Sequence, residues 1–199
     1  RKFTTFNSRT NHSRDVGNKQ KTEMREELEK KIKNNRYILK GIGILEIIGG
    51  ITGILLVFWL VSKGGEINLF SFIILLIALI FYSYSIFAGI VLFRKTEKAI
   101  SHSWIIQFIQ IIGISFNGIS YVLTSGGNLF LGYNLTENEI SFSFGIIASK
   151  FDLSISPEVN NFIQINIMAI IIIYLLDKTM KSINEKKELL NSYVEKIGE

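Results

Sequence analysis

One acidic side chain interrupts a long apolar stretch of this 199-residue chain. Glu46 lies in the segment GILEIIGGITG, six residues after Lys40. A carboxyl group inside a membrane span costs about 2.5–3.5 kcal/mol on insertion scales, so it usually faces a bundle interior or a wet cavity and serves function. Two interpretations stay open. Glu46 titrates in a transport site, or it reaches water at the nearby membrane edge or pairs with Lys40 or Arg94 and helps assembly.

A stripe of polar and small residues at helical spacing is the second feature that could do chemistry. Its members fall on one side of a helix: Ser103, Gln107, Gln110, Gly113, Asn117, Ser120 and Thr124. Polar side chains in a span either hydrogen-bond across helices, at about 0.6 kcal/mol on average, or line a water path. We combine part of this stripe with Glu46 into one candidate intramembrane polar or transport site: Glu46, Gln107, Gln110, Asn117 and Ser120.

Catalytic and metal chemistry find little support in the sequence. The chain contains no cysteine, His12 lies in the N-terminal tail, and His102 has no second histidine, cysteine or paired carboxylate at a ligand spacing. There is no phosphate-binding loop and no dinucleotide fingerprint, because the glycines lie within apolar segments rather than between a strand and a helix. We therefore expect a non-enzymatic protein with no catalytic residues, no metal and no cofactor.

Long apolar runs are the elements that would position these residues. The chain is 48% hydrophobic, and three runs exceed the roughly 18 to 20 residues that a helix needs to cross a bilayer. A fourth run, from Phe162 to Leu176, has only 15 residues and would have to thin the bilayer or hide one end within the protein. We predict an all-α membrane protein, a bundle of four transmembrane helices at about 41–62, 68–93, 103–124 and 159–176.

Four glycines of the first span predict how it packs. Gly43, Gly50 and Gly53 share the face of Glu46, and Gly49 forms a small-xxx-small pair with Gly53. Small residues at this spacing let helix backbones approach closely. We therefore predict that these glycines form the packing contact of the first helix.

The distribution of basic residues predicts the orientation. Lysines and arginines cluster before the first span, in the second connection and after the fourth span, whereas the other two connections carry only Lys63 and Lys150. Basic residues near span ends stay in the cytoplasm. We predict a multi-pass protein of the cell (inner) membrane with both termini cytoplasmic. The net charge of +5 then reflects topology and contact with anionic lipid, and we expect no nucleic-acid partner.

The segments outside the spans predict three further parts. Residues 1–22 have the composition of a basic disordered tail, 23–40 that of a cytoplasmic amphipathic helix, and 177–199 that of a second cytoplasmic helix. The last helix carries apolar residues at alternating intervals of four and three, broken by Lys187: Leu176, Met180, Ile183, Leu190, Val194 and Ile197. This a/d seam within residues 176–197 is a surface for a partner helix.

The segment 126–157 alternates apolar and polar residues with a period of two. This pattern predicts a small three-stranded antiparallel β-meander, inserted between the third and fourth spans on the outer side. A small sheet with one apolar face is unstable in water, so we expect it to lie against the bundle or the lipid interface. Its apolar residues form a predicted outer docking face: Phe142, Phe144, Ile146, Phe151 and Leu153.

The run LEIIGG around Glu46 resembles the first helix of small multidrug resistance transporters, four-span proteins whose intramembrane glutamate exchanges protons for cationic drugs. The resemblance implies that Glu46 is a proton and cation site. It covers six residues. The chain departs from the family in its greater length, its inserted sheet and its lack of counterparts to the family's aromatic substrate residues, and it is not assigned to that family.

Two functional hypotheses follow. The first is an integral membrane protein that acts through assembly, as a homo-oligomer or an accessory subunit of a membrane complex. Its partners would be the lipid bilayer and itself or another membrane protein, bound through the outer sheet and residues 176–197. The alternative is an oligomeric ion channel or a proton-coupled carrier of small cations that uses Glu46 and the polar face of the third span.

Overall fold

The computed structural model describes residues 6–63, 69–95, 99–117, 119–146, 149–155 and 160–198. Within these residues the elements follow in the order α1 (Phe6–Ser62), α2 (Leu69–Lys95), α3 (Ile100–Ile109), β1 (Ile112–Phe116), β2 (Ile119–Thr124), β3 (Gly127–Asn134), β4 (Glu139–Ile146), β5 (Lys150–Ile155), β6 (Phe162–Asn166) and α4 (Ile167–Gly198). They form two compact units. The larger is Ile38–Lys178, and the smaller comprises the chain up to Tyr37 and from Thr179 onward.

In the larger unit α1 and α2 pack through glycines. A β-carbon added to Gly43 would lie 2.8 Å from the carbonyl oxygen of Gly89, and one added to Gly50 would lie 2.7 Å from that of Tyr82. Gly53 faces the Tyr82 ring, where an added β-carbon would lie 2.1 Å from Cδ1. A larger residue at Gly43 or Gly50 would push the backbones of the two helices apart, whereas one at Gly53 would displace the Tyr82 ring.

Gly49, the fourth of the predicted packing glycines, contacts the sheet rather than a helix. A β-carbon added there would lie 2.0 Å from the backbone nitrogen of Gly126, in the turn between β2 and β3. Gly126 has a φ of +93°, a conformation that favours glycine. Two glycine backbones thus meet, and the turn of the sheet is in direct contact with α1.

The six strands form one antiparallel sheet in the order β4-β3-β6-β1-β2-β5. Its two edge strands follow each other in the chain, because β4 ends at Ile146 and β5 begins at Lys150. Strands lie about 4.8 Å apart, so the edges of a flat sheet would be about 24 Å apart, whereas four peptide units span at most about 15 Å. The sheet therefore curls into a half-barrel.

The two faces of the half-barrel have opposite polarity. Ser115 pairs with Ser120, and Gln164 pairs with both Gly113 and Gly132, so polar and small residues share the inner face. The alternate residues form an apolar outer face, much of which is exposed: Ile112, Ile114, Phe116, Ile119, Leu131, Tyr133, Ile140, Phe142, Phe144, Ile163 and Ile165. A sheet in water shows the reverse arrangement, with its apolar face covered.

One part of the outer face is covered by the helices. Leu123 of β2 is buried in a cluster with side chains of α1, α2 and α3, including Val57, Phe81 and Ile106. Tyr121 and Phe151 pack against the same cluster. The β2 and β5 side of the sheet is therefore attached to the helices, while the outer faces of the other four strands carry most of the exposed apolar residues.

The predicted four-helix all-α bundle is wrong. Among the described residues, two helices are long and apolar enough to cross a membrane, Thr22–Ser62 within α1 and Leu69–Arg94 within α2. The predicted third span, 103–124, instead ends as a helix at Ile109 and continues as β1 and β2. The physical reason lies in the segment IGISF, whose alternation of large apolar with small residues suits a strand, and in the turn at Asn117, which has a φ of +51°.

The predicted fourth span, 159–176, is also divided. It begins as strand β6 and becomes helical at Ile167. The predicted three-stranded meander is wrong in part: β3 and β4 form the expected hairpin, but β5 pairs with β2 at the opposite edge of the sheet. Strand pairing between segments distant in sequence decided this outcome, and a period-two pattern carries no information on which strands become neighbours.

The smaller unit contains the start of α1 and the end of α4. Leu28 and Ile32 are buried, whereas Met24 on the same predicted apolar side is 44% exposed. On the C-terminal segment Ile183 of the predicted seam is buried. Helix α1 begins at Phe6, inside the stretch predicted as a disordered tail. The side chains of Val194 and Ile197, also assigned to the seam, lie outside the described residues.

Candidate functional site around Glu46

Glu46 is fully buried in α1, and both of its carboxylate oxygens accept hydrogen bonds from α3. The hydroxyl of Ser103 donates to Oε2 at 2.8 Å, and Nε2 of Gln107 donates to Oε1 at 3.1 Å. These donors are four residues apart, so one face of α3 presents both. No cationic side chain of the described residues lies within 4.0 Å of Glu46. Lys40 instead lies 5.3 Å from the centroid of the Phe93 ring.

Ser85 links Glu46 to the sheet. Its hydroxyl donates to the backbone carbonyl of Glu46 at 3.1 Å and lies 2.8 Å from the hydroxyl of Ser125. The backbone N–H of Ser125 donates to Oε1 of Gln110 at 2.8 Å, and Nε2 of Gln110 donates to the carbonyl of Ile106. Helices α1, α2 and α3 and the turn between β2 and β3 thus meet in one buried polar cluster.

A second set of hydrogen bonds joins the helices to the start of β5. The carbonyl oxygen of Gly49 accepts hydrogen bonds from the hydroxyls of Thr52 at 2.9 Å and Ser149 at 2.6 Å. The hydroxyl of Tyr82 donates to the carbonyl of Lys150 at 3.2 Å. Backbone carbonyl groups near the contact of α1 with the sheet therefore accept hydrogen bonds from polar side chains. These side chains belong to α1, to α2 and to the link before β5.

Four polar atoms on the inner face of the half-barrel are buried without a hydrogen-bond partner among the described residues: Ser115 Oγ, Ser120 Oγ, Gln164 Nε2 and Asn166 Nδ2. Oδ1 of Asn166 accepts a hydrogen bond from the backbone N–H of Leu129, which fixes the orientation of its amide. These atoms make the inner face of the half-barrel a buried polar surface.

The predicted polar site is only partly assembled in the structure. Glu46 and Gln107 are hydrogen-bonded, and Gln110 belongs to the same cluster through Ser125. Ser120 is buried on the inner face of the sheet, in register with Ser115. Asn117 is exposed in the turn between β1 and β2, where its N–H donates to Oδ1 of Asn161. The single helical stripe is divided because α3 ends before Gln110.

The predicted outer docking face is likewise divided. Phe142 and Phe144 are 67% and 57% exposed on the outer face of β4. Phe151 packs against the helix cluster and is half-buried. The side chains of Ile146 and Leu153 lie outside the described residues.

Three members of the cluster were absent from the predicted site. Ser85 lies three residues from Tyr82 and four from Gly89 on one face of α2, and this spacing was the available signal for it. Ser125 lies in a short Ser-Gly-Gly turn, whose sequence indicates a turn but gives no sign of a partner. Ser103 belonged to the polar stripe without being selected, although it donates one of the two hydrogen bonds to Glu46.

His102 forms a separate contact at the start of α3. Its Nδ1 lies 2.8 Å from the hydroxyl of Tyr84, and its ring packs edge-on against Phe87 at 5.3 Å between centroids. Among the described residues no group of three or more potential metal ligands occurs. The contact packs α3 against α2 and offers no arrangement of acid, base and nucleophile.

The chemistry available to the Glu46 cluster is that of a carboxyl group surrounded by neutral donors. Such a group can exchange a proton, or it can anchor α3 to α1 through two hydrogen bonds. No protein-family model, no curated protein and no solved structure matches this chain. The choice between these roles therefore depends on the geometry and on experiment.

Proposed function

We propose that the protein is a non-enzymatic integral membrane protein that acts through assembly, as a homo-oligomer or as an accessory subunit of a membrane complex. The observation that carries this proposal is the polarity of the half-barrel. Its outer face exposes apolar side chains such as Ile114, Phe142 and Ile163, whereas its inner face buries serines and amides. Strands that face lipid carry apolar residues outward and polar residues inward. This surface fits lipid and the apolar surfaces of other membrane proteins.

The depth of the sheet supports the proposal. Helix α3 has 10 residues and covers about 15 Å, half of the roughly 30 Å of a hydrocarbon core, so the strands that follow it begin within the bilayer. Gly49 contacts the turn at Gly126 and lies nine residues after Lys40, or about 14 Å along α1. In a bilayer crossed by α1 and α2, this turn lies near mid-depth.

The buried hydrogen bonds have a physical role at that depth. Non-helical backbone is tolerated in the hydrocarbon region only where protein or enclosed water supplies its hydrogen bonds. The N–H of Ser125 bonds to Gln110, and the carbonyl of Lys150 bonds to Tyr82. The polar side chains of Gln110, at the end of α3, and of Tyr82, in α2, therefore stabilise a sheet inside the membrane, which accounts for the presence of both.

We propose a multi-pass arrangement in the cell membrane with both termini in the cytoplasm. The positive-inside rule assigns to the cytoplasm the side that carries the basic residues of α1 ahead of its apolar stretch, such as Lys40, and Arg94 near the end of α2. Lys63 then lies on the outer side, where its amine packs 4.7 Å from the centroid of the Trp59 ring, an arrangement suited to the interface.

Assembly is tested by extracting the full chain gently from its native membranes. The mass of the intact complex is then measured, and the proteins that co-purify are identified. We expect a defined homo-oligomer or a stoichiometric second membrane protein. The double variant Phe142→Ser/Phe144→Ser should reduce that association, while Ser141→Ala/Ser143→Ala on the other face of the same strand should not. A wild-type chain that is monomeric at all concentrations, with nothing attached, contradicts the proposal.

A second candidate, a proton-coupled carrier or an oligomeric channel, is favoured by one observation. Glu46 is a fully buried carboxyl group whose side-chain hydrogen bonds, among the described residues, come only from the neutral donors Ser103 and Gln107. Such residues within spans commonly mark ion and proton pathways. Asn117 and Ser120 do not lie in this cluster, so any path would pass among the helices beside Glu46 and Gln107.

Measuring proton or ion flux across the membranes of liposomes that contain the protein tests this candidate. In Glu46→Gln the amide can still accept a hydrogen bond from Gln107, so the fold should persist while proton exchange is lost. Flux that depends on Glu46 and survives in Ser103→Ala would support transport. Equal flux in the wild type and in Glu46→Gln would remove Glu46 from any transport mechanism.

A further inference from the structure

Lys150, the first residue of β5, is a cationic residue whose backbone is fixed by hydrogen bonds. Its N–H donates to Oγ1 of Thr124 at 2.9 Å, and its carbonyl accepts the hydrogen bond from Tyr82. The hydroxyl of the preceding residue, Ser149, donates to the carbonyl of Gly49. In the membrane arrangement proposed above Gly49 lies near mid-depth, so the backbone of Lys150 lies near mid-depth as well.

The side chain of Lys150 points to the inner, concave face of the half-barrel. Phe151 packs outward against the helix cluster, and successive residues of a strand point to opposite faces, so Lys150 and Asp152 point inward. Lys150 is exposed, and no carboxylate of the described residues lies within 4.0 Å of its amine. Asp152 takes part in an interaction of its own. A charged residue at such a depth usually pairs within the protein or faces a water-filled cavity.

Much of the remaining inner face is also polar. Ser141 and Ser143 of β4 are exposed there, while Phe130 is buried between β4 and β6. Gln164 Nε2 and Asn166 Nδ2 are buried donors without an acceptor among the described residues. Lipid tails offer no hydrogen-bond partners, whereas water offers both donors and acceptors. The inner face therefore fits water and does not fit lipid tails.

The inner face is long enough to reach the outer membrane surface. Strand β5 runs from Lys150 to Ile155, and its six residues cover about 20 Å. At the tilt usual for barrel strands this is about 15 Å of depth, the same as the outer half of a hydrocarbon core of about 30 Å. Ser120 and Ser154, paired in register, continue the inner face toward its outer end.

We infer that the concave side of the half-barrel is a water-filled vestibule, open to the outer side of the membrane and deep enough to reach Lys150. Water and small hydrophilic ions enter it, and lipid tails do not. The inference rests on the proposed function, because it requires the sheet to lie in the membrane. It goes beyond assembly, because it assigns a binding site for polar solutes to a surface that faces neither lipid nor a partner.

The chain contains no cysteine, so single cysteines can test the vestibule without a background. Ser143 and Phe144 are exposed neighbours on β4, at the same depth but on opposite faces. Thiols react as thiolates, which form in water and are disfavoured in apolar surroundings. We expect full-length Ser143→Cys in its native membranes to react with a charged, membrane-impermeant methanethiosulfonate added from the outer side. Phe144→Cys should react about tenfold more slowly or not at all.

The charge of Lys150 supplies the second measurement. A unit charge about 8 Å from a thiol in water changes the rate ratio of an anionic to a cationic reagent by about fivefold. At Ser143→Cys the ratio for the sulfonate and trimethylammonium reagents should therefore fall by about this factor when Lys150→Gln is added, and it should persist with Lys150→Arg. Thr136→Cys, in the exposed turn before β4, is the control whose ratio Lys150→Gln should leave unchanged.

The inference and the proposed function can fail separately. If Ser143→Cys and Phe144→Cys both react as fast as Thr136→Cys, the sheet lies in water and its membrane location is wrong. If only Thr136→Cys reacts, or if Lys150→Gln leaves the ratio at Ser143→Cys unchanged, the location stands and the vestibule is wrong. If Thr136→Cys is also unreactive, the outer location is wrong and the vestibule with it.

Discussion

The contact between Gly49 of α1 and Gly126 in the sheet offers the sharpest test of the fold. An added β-carbon at Gly49 would lie 2.0 Å from the nitrogen and 2.3 Å from Cα of Gly126, and both are backbone atoms that cannot rotate away. Gly41, eight residues earlier in the same helix, has nothing within 4 Å of an added β-carbon. Alanine at these two positions therefore differs only in what surrounds the methyl group.

The expected free energies follow from these distances. Replacing a helical glycine by alanine gains about 0.5–1 kcal/mol, which Gly41→Ala should show in full. Overpacking costs about 1–3 kcal/mol, and a clash with backbone belongs at the upper end of that range. Gly49→Ala should therefore lose about 2 kcal/mol net. The two variants would differ by about 3 kcal/mol, or roughly 100-fold in the unfolding equilibrium.

The assay is reversible urea unfolding of the full chain in mixed micelles, followed by the fluorescence of Trp59 and Trp104. Stability is obtained by linear extrapolation, with the slope checked for equality between variants. Gly53→Ala supplies an intermediate case, because its methyl group meets the Tyr82 ring, a side chain that can shift. Equal stability of Gly49→Ala and Gly41→Ala would refute the contact between the turn and α1, and with it the depth of the sheet in the bilayer.

Three further predictions concern the turns and the cluster. Gln110→Leu should lose about 1–3 kcal/mol of unfolding free energy in the same assay, because it leaves the buried N–H of Ser125 without its acceptor; an unchanged stability would remove that bond from the account. Asn117 has a φ of +51°, so Asn117→Gly should be tolerated while Asn117→Val should cost about 1–2 kcal/mol, and equal stabilities would contradict the turn. Asn134, Leu135 and Thr136 form an N-glycosylation sequon that begins at the last residue of β3 and continues into the turn before β4; in eukaryotic microsomes it should gain one glycan that Asn134→Gln lacks, and an unmodified wild type would argue against an outer location.

Parts of this structure could be predicted from the sequence because their signals are local. The first two apolar runs became the two helices long enough to cross a membrane. Alternation in residues 126–146 became the hairpin of β3 and β4. The structure also places Glu46 against Gln107, as one expects when two polar residues of neighbouring helices share an apolar environment.

The remaining elements could not be predicted, because apolar content does not distinguish a membrane-spanning helix from strands that face an apolar environment. The run from Ser103 to Thr124 is long enough to span a membrane as a helix, but it also fits strands whose outer side chains face an apolar environment. The alternation in Ile112–Phe116 was a signal for the second solution, and the length of the run outweighed it. Pairing of β1 with β6 and of β2 with β5 joins segments far apart in the chain, which no local pattern encodes.

The groups that they hydrogen-bond distinguish the residues around Glu46 from the other polar residues of the cluster. Gln110, Tyr82 and Ser149 all bond backbone groups, so the sheet would need them in the membrane location that we propose. The hydrogen bonds described for the side chains of Ser103 and Gln107 go only to the carboxyl group of Glu46.

If Glu46, Ser103 and Gln107 were replaced together by apolar residues of similar size, the backbone bonds described here would keep their partners. Exchanges of this kind in other proteins are often neutral or stabilising. The fold therefore accounts for most of the buried polar residues but not for this carboxyl group. That difference is the physical reason to test Glu46 in transport even though assembly explains more of the surface.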